Sequence, residues 1–142
     1  MCASQRKGDY AKWKWFDYCL YWGIYFLSDR ESGSFSVFSG LGGVQMERKH
    51  IDEGYFATFV SASWREDVAR KFMGKGKGML IRIDGEFKND DNIHCCDVSW
   101  LSKFPDEAEV LFARSWGGWV VGRFKCTVVD SALGVQTVRL GK

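Results

Sequence analysis

Proline and histidine are scarce in this chain, which also lacks a long apolar run and an excess of charge of one sign. The 142 residues include a single proline, Pro105, and two histidines. The most apolar stretch, residues 18–27, is about half the length that a membrane-spanning helix requires. The net charge is +2, with 20 Lys and Arg spread among 18 Asp and Glu. The sequence therefore predicts no membrane partner and no nucleic-acid partner, since nothing in it spans a bilayer or follows a phosphate backbone.

Cysteine is present, but without the spacing of a disulfide or metal framework. Successive residues of a strand point to opposite faces, so the adjacent Cys95 and Cys96 are expected to lie on opposite faces. With His94 they are too close in sequence for the usual zinc-ligand spacings. We therefore expect reduced thiols, no metal and a cytoplasmic location. The five cysteines are Cys2, Cys19, Cys95, Cys96 and Cys126.

The composition indicates one compact α+β domain. Hydrophobic residues make up 46% and aromatic residues 16% of the chain, which is too apolar for disorder. The 16 glycines suggest many tight turns between short strands. We expect residues 1–142 to form a single domain, with a helical, aromatic-rich segment at 1–33 and a β-rich core at 34–142. Asp9 is a plausible N-cap for a helix that begins near Tyr10 and ends near Ser32.

The β-rich core predicts about seven short strands and one further helix. Residues 44–52 are expected to form a surface loop or a short helix. Ser63 and Glu66 have the spacing of a capping box, which predicts a helix over residues 64–73. The apolar face of that helix is expected to contain Trp64, Val68, Ala69 and Phe72. Turns are expected at residues 42–43, 74–78, 89–92 and 116–118. The predicted strands cover residues 35–40, 55–63, 79–83, 93–98, 107–112, 119–129 and 135–140.

Two glutamates near the single proline are the first candidate for chemistry. In the predicted strand over 107–112, Glu107 and Glu109 would share one face, with their Cα atoms about 6.6 Å apart. Two carboxylates at this spacing repel each other, so they stay together where solvent screens them or where a reaction uses them. On this pattern alone, an exposed strand face with two solvated glutamates is the simpler interpretation.

Three segments, taken together, resemble the R-S-E class of mono-ADP-ribosyltransferases, the arginine-specific type with a Glu-x-Glu motif. They match the arginine, Ser-Thr-Ser and Glu-x-Glu motifs of that class in order and spacing, over roughly residues 35–112. Each motif is weak alone, but three in order are fairly specific. The segments are Phe38-Ser39-Gly40-Leu41, then Phe59-Val60-Ser61-Ala62-Ser63 before a Val-Ala-x-x-Phe helix, and Phe104-Pro105-Asp106-Glu107-Ala108-Glu109-Val110-Leu111.

The resemblance implies an ADP-ribosyltransferase-like fold. In such a fold two small, roughly perpendicular β-sheets with flanking helices enclose a cleft for NAD, which is consumed as a substrate. Glu109 would be the catalytic glutamate and would stabilise the oxocarbenium-like state as the N-glycosidic bond breaks. Glu107 would bind the incoming guanidinium and help to remove its proton. Ser61 would orient Glu109.

The implied activity is transfer of ADP-ribose from NAD to a protein arginine, with NAD glycohydrolase activity beside it. The implied partner is thus an acceptor protein that carries a target arginine. The loop 100–106 would recognise this acceptor, with Trp100 and Phe104 as aromatic contacts, although an ordinary core position is the alternative for Phe104. The implied NAD-binding positions are Ser39, Gly40, Ser61, Ser63 and Phe72.

The chain departs from the family pattern in its first motif. Where the family has an arginine that contacts the NAD phosphates, this chain has Ser39. The middle residue of Ser-Thr-Ser is Ala62, and another basic residue, for example Arg48, could supply the missing charge. An alternative function is therefore a catalytically weak or inactive module that binds a nucleotide or a protein. Retention of both glutamates and both flanking serines favours the enzyme. If the protein is a toxin, it would be secreted rather than cytoplasmic.

Overall fold

The computed structural model describes residues 10–28, 30–45, 50–54, 56–87, 94–114, 124–132 and 135–141. Asp9, Arg48 and the turns expected at 89–92 and 116–118 lie outside these residues. The elements in chain order are helix α1 Tyr10–Ser28, strands β1 Ser34–Gly42, β2 His50–Gly54 and β3 Val60–Ser63, helix α2 Glu66–Met73, strands β4 Gly78–Glu86 and β5 Cys95–Asp97, a 3-10 helix Pro105–Glu107, and strands β6 Glu109–Phe112, β7 Phe124–Ala132 and β8 Val135–Gly141.

The strands form a mostly antiparallel sheet in the order β2-β7-β8-β4-β1-β3-β6-β5, in which only β4 and β8 run parallel. The pair β1–β3 is held by one register contact, Phe38 opposite Ser63. Five strands therefore lie on one side of this joint and three on the other. The two sheets that were expected are the two portions of this sheet.

The main hydrophobic core lies on one face of the sheet. Cys95 contributes to this core, whereas Cys96 packs against α1 on the other face. The expected opposite orientation of the two cysteines is confirmed, because β5 is a regular strand at this point. The other buried members of the main core are Phe35, Val37, Phe56, Ala62, Met79, Ile83, Phe87, Val110 and Phe112.

Helix α1 begins at Tyr10, as expected, but ends at Ser28 rather than near Ser32. It packs on β5 with one face, where Asp17 is buried and accepts from both Nε and Nη of Arg114, two residues after β6. The opposite face is exposed and aromatic, with Trp15 68% and Phe26 63% accessible. Neither α-helix in the described part of the chain is long and apolar enough to cross a membrane.

Helix α2 differs from the prediction at its start and on its apolar face. It begins at Glu66, and its N-cap residue Arg65 makes no side-chain capping bond, so the predicted capping box is wrong. The Ser63 hydroxyl is instead hydrogen-bonded at the end of β3. Phe72 is 65% exposed and is not on the buried face. That face is formed by Val68, Ala69 and Met73.

Several strand bounds also differ from the prediction. Residues 56–59 lie outside any strand, so β3 begins at Val60 rather than near residue 55. Residues 50–54 form β2 instead of a loop, because they pair with β7. The strand predicted over 93–98 is shorter, Cys95–Asp97, and that predicted over 119–129 ends at Ala132, while residues 119–123 lie outside the described residues. Pairing partners that are distant in sequence decided each of these bounds.

Candidate active site

Serine and glutamate side chains meet on one face of the β3–β6 pair. Ser63 lies directly opposite Glu109, and Ser61 lies opposite Leu111. Val110 and Phe112 point into the main core from β6, as Ala62 does from β3. Because side chains alternate along a strand, Ser61, Ser63 and Glu109 share the face that points away from this core. The joint between β1 and β3 lies on the same cross-strand row, since Ser63 also pairs with Phe38.

Glu107 and Glu109 do not belong to the same strand. Glu107 is the last residue of the 3-10 helix Pro105–Glu107, and β6 begins only at Glu109. Between them, Ala108 has a left-handed backbone with φ 46° and ψ 52°. The prediction that both glutamates share one strand face is therefore wrong. The backbone changes direction at this left-handed residue, so the orientation of the Glu107 side chain is determined separately from that of the Glu109 side chain.

Ser63 holds the backbone beside Glu107. Its hydroxyl donates to the carbonyl oxygen of Glu107 at 2.6 Å and accepts from the backbone N–H of Arg65 at 3.0 Å. The side chain is 5% exposed, so both bonds are protected from water. The hydroxyl that was expected to shape an NAD pocket thus also fixes the turn that carries both glutamates.

Neither glutamate carboxylate makes a side-chain hydrogen bond or ion pair within the described residues. Both side chains are half-buried. Ser61, the residue expected to orient Glu109, is exposed and lies diagonally from Glu109, a spacing that long side chains can bridge. Both carboxylates are therefore available to solvent or to a ligand.

Ser39 and Gly40 have structural contacts at this site. The Ser39 hydroxyl donates to the carbonyl oxygen of Ser61 at 2.9 Å and so links β1 to β3 beside their single register contact. A Cβ atom at Gly40 would stand 1.9 Å from the carbonyl oxygen of Ala69 in α2. Glycine at this position therefore lets α2 pack directly on β1, next to the serines.

The predicted acceptor loop presents its aromatic side chains to solvent. Trp100 is 66% and Phe104 57% exposed, so the alternative that Phe104 is a core residue is wrong. The Trp100 indole donates to the carbonyl oxygen of Asp97, and the ammonium of Lys103 lies 5.8 Å from the centre of the Phe104 ring. These exposed rings form an apolar, partly cationic surface beside Glu107.

Charge near the start of α2 is paired locally. The Arg65 guanidinium, hydrogen-bonded to Asp67, holds the pKa of that carboxyl below its usual range. The same bond raises the pKa of Arg65. Among the described residues no three His, Cys, Asp or Glu side chains are grouped as metal ligands. The Arg65 guanidinium also binds the Asp106 carbonyl oxygen, which places a positive charge beside the chain that leads into Glu107.

Sequence reasoning missed three residues that contact the acceptor loop: Trp64, Arg65 and Asp97. Trp64 was assigned to the apolar face of α2, but its indole N–H donates to the Asp97 carboxylate at 3.1 Å. Arg65 donates to the carbonyl oxygen of Asp106 at 3.2 Å. No spacing in the sequence indicates these contacts, because they join segments more than thirty residues apart.

Comparison with known proteins identifies the fold. No protein-family model matches the sequence, and no curated protein matches it. A mutant of the eukaryotic mono-ADP-ribosyltransferase ART2.2 in complex with NAD superposes with a TM-score of 0.62 at 19% identity, over 92% of this chain and 50% of that chain. Exoenzyme S from Pseudomonas aeruginosa, in complex with human 14-3-3 protein beta and carba-NAD, gives 0.57 at 19% identity, over 77% and 48%.

A third solved structure, the ADP-ribosyltransferase Vis in complex with agmatine, has a TM-score of 0.50 at 18% identity, over 78% of this chain and 49% of that chain. This chain spans about half the length of the solved structures it matches. These superpositions show that the protein has the α+β fold of the mono-ADP-ribosyltransferases.

Proposed function

We propose that the protein is a mono-ADP-ribosyltransferase that moves ADP-ribose from NAD to a protein arginine, with NAD glycohydrolase activity beside it. The observation that carries the proposal is the position of Glu109. It lies opposite Ser63, at the joint of the two sheet portions, with no side-chain partner for its carboxylate among the described residues. The fold and the relation of this glutamate to two serines support the same function.

In the proposed reaction Glu109 acts on the bond between nicotinamide and ribose. Nicotinamide leaves with the electron pair of that bond, and positive charge develops on the ribose carbon. A fixed carboxylate stabilises this charge, as carboxylates do in glycoside hydrolysis. Glu109 suits this role because its backbone pairs with Ser63 of β3 on one side and accepts from the Val98 N–H on the other.

Glu107 is proposed to act on the acceptor. A guanidine nitrogen forms the new bond to the ribose carbon, and its proton passes to the Glu107 carboxylate. Water in place of the guanidine gives free ADP-ribose, nicotinamide and a proton. Because Glu107 lies outside β6, on a separate turn, it is free to contact the acceptor without sharing the position of Glu109.

NAD is proposed to bind as a substrate over Ser39, Gly40, Ser61, Ser63 and the exposed ring of Phe72, without a metal. Ser39 cannot make the charge-assisted bonds of an arginine, and its hydroxyl is already bonded to β3. The loss of one such group corresponds to about ten- to a hundredfold in affinity. We therefore expect weak NAD binding and a high Michaelis constant for NAD.

The acceptor is proposed to be a protein arginine recognised by the loop that carries Trp100 and Phe104. Exposed aromatic rings beside a carboxylate suit a guanidinium, which stacks on rings and pairs with carboxylates. The Vis structure supports the same acceptor chemistry, since agmatine is a small guanidine.

Mass spectrometry of the protein incubated with NAD and agmatine tests this function. We expect agmatine to gain one ADP-ribose while nicotinamide is released. A parallel reaction with the guanidine replaced by a simple alkylamine should give only free ADP-ribose and nicotinamide. If calorimetry shows NAD binding but neither product forms, the alternative is correct: a nucleotide-binding module, which the serine at position 39 favours.

A further inference from the structure

The segment between β3 and α2 contacts the chain around Glu107 through three consecutive residues. Ser63, Trp64 and Arg65 each bond one backbone carbonyl oxygen of that chain. The Ser63 hydroxyl binds Glu107 at 2.6 Å, the Trp64 N–H binds Ala108 at 3.1 Å and the Arg65 guanidinium binds Asp106 at 3.2 Å. All three bonds are made to backbone oxygens, so they fix the position of the chain at residues 106–108 whatever its side chains are.

Trp64 also contacts the other end of the acceptor loop. Its indole N–H donates to one oxygen of the Asp97 carboxylate at 3.1 Å. The second oxygen of Asp97 accepts from the backbone N–H and the hydroxyl of Ser99. Trp64 therefore bonds the residue before loop 98–108 through its side chain and Ala108, the last residue of that loop, through its backbone.

The loop between these two contacts is built from its own hydrogen bonds. Leu101 and Ser102 donate to the carbonyl oxygen of Val98, and Glu107 donates to that of Phe104. Such a loop moves as a unit, so its position depends on how its ends are fixed. Glu109 differs in this respect, since its backbone pairs with Ser63 of β3 and its carbonyl oxygen accepts from the Val98 N–H, and neither backbone contact involves the Trp64 side chain.

We propose that Trp64 is a positioning residue, which sets where Glu107 and loop 98–108 stand relative to Glu109 and thereby favours transfer to a guanidine over hydrolysis of NAD. This role of Trp64 rests on the proposed transferase function. A displacement of about 1 Å in a reacting group can cost about a hundredfold in rate. Transfer needs Glu107 and the loop in place, whereas hydrolysis needs Glu109 and water.

The test uses Trp64→Phe, which removes the indole N–H and retains an aromatic ring. Trp15→Phe is the matched control, because Trp15 is an exposed tryptophan of α1 outside the site. Agmatine and NAD are the substrates, and both products are quantified. For Trp64→Phe we expect the ratio of ADP-ribosyl-agmatine to free ADP-ribose to fall about tenfold, with nicotinamide release without agmatine unchanged. Trp15→Phe should retain the wild-type ratio.

A second readout does not depend on activity. Lys103 is exposed in the loop, so trypsin cleavage after Lys103 reports how firmly the loop is held. We expect faster cleavage at this bond in Trp64→Phe than in wild type or Trp15→Phe. Unchanged cleavage, or a parallel fall in transfer and hydrolysis, would overturn the role of Trp64. Absence of nicotinamide release from the wild type would instead overturn the proposed function, while the cleavage result still decides whether Trp64 holds the loop.

Discussion

At the scale of single residues, the sequence supplied the candidate side chains but did not predict the backbone between them. Glu107 and Glu109 were recognised as candidates, and so were the serines on β3. The alternation Glu-Ala-Glu-Val-Leu-Phe predicts a strand from Glu107 onward, yet Ala108 adopts a left-handed conformation. Alanine has no preference for that region, so only the bonds from Ser63 and Trp64 to this turn account for it.

The first residue-scale prediction concerns Glu107. Glu107→Gln should leave NAD hydrolysis near its wild-type rate and lower transfer to agmatine about a hundredfold, because only the acceptor loses its carboxylate base. Product ratios by mass spectrometry measure the separation. Asp106→Asn, an exposed neighbour in the same 3-10 helix, is the control and should change neither activity. Equal loss of both activities in Glu107→Gln would place Glu107 in the NAD site instead.

The second residue-scale prediction concerns the buried thiols of Cys95 and Cys96. Burial raises the pKa of Cys96 to about 11 and raises that of Cys95 further. Since the thiolate is the reactive form, neither should react with iodoacetamide at pH 8, whereas the exposed Cys19 should. Labelling of Cys96 should increase as the pH rises toward 11, and peptide mass spectrometry after short pulses measures it. Labelling of Cys96 at pH 8 as fast as Cys19 would show that α1 does not cover β5.

At the scale of elements, periodic patterns predicted β1, β4, β8 and the start of α1 well. They failed where tertiary contacts decided the outcome. Residues 56–59 have strand-like composition but lie outside β3. Phe72 fits the apolar face of α2 by spacing, yet the glycines at 40, 42 and 78 bring Ala69 and Met73 onto the sheet and rotate Phe72 outward. Close approach at a glycine is a tertiary property that a helical pattern does not contain.

The prediction at this scale is made for Gly40. Gly40→Ala would place a Cβ atom 1.9 Å from the Ala69 carbonyl oxygen, so α2 must move away from β1. We expect a loss of about 1–3 kcal/mol in the free energy of unfolding, as for other overpacked sites. Gly23→Ala is the control, because nothing lies within 4 Å of its added Cβ in α1. It should raise the same free energy by up to about 1 kcal/mol.

Urea denaturation of the two glycine variants makes this comparison directly. A Gly40→Ala variant as stable as the wild type would mean that α2 is not seated on β1 as described. Weaker NAD binding in Gly40→Ala is also expected, because α2 carries Phe72 and follows directly from the serines of β3.

At the scale of the whole molecule, the fold class was predictable, since the fold that the three segments together implied is the fold of the solved structures that superpose on this chain. The solved structures that superpose on this chain share 16–20% of its sequence for TM-scores of 0.50 and above. Long-range pairs were not predictable. Asp17 and Arg114 lie 97 residues apart, and their ion pair fixes α1 to the end of β6.

This ion pair gives a prediction for the whole fold. The Asp17 side chain is 4% and the Arg114 side chain 13% exposed, so removing the Asp17 charge leaves the Arg114 charge in a desolvated site without the carboxylate that it binds here. Asp17→Asn should lower the free energy of unfolding by about 3 kcal/mol or more. Asp67→Asn, which breaks an exposed pair with Arg65, is the control and should cost much less, since solvent screens such pairs. Similar losses in both variants by urea denaturation would contradict the structural role of the buried pair.

The central claim is that Glu109 breaks the bond between nicotinamide and ribose. Its most direct test is the rate of nicotinamide release from NAD, measured by chromatography without an acceptor, for the wild type and for Glu109→Gln. The substitution retains the shape of the side chain and removes its charge. We predict measurable release by the wild type and a fall of about a hundredfold or more in Glu109→Gln, with an unchanged free energy of unfolding. A Glu109→Gln variant that releases nicotinamide at the wild-type rate would contradict the account.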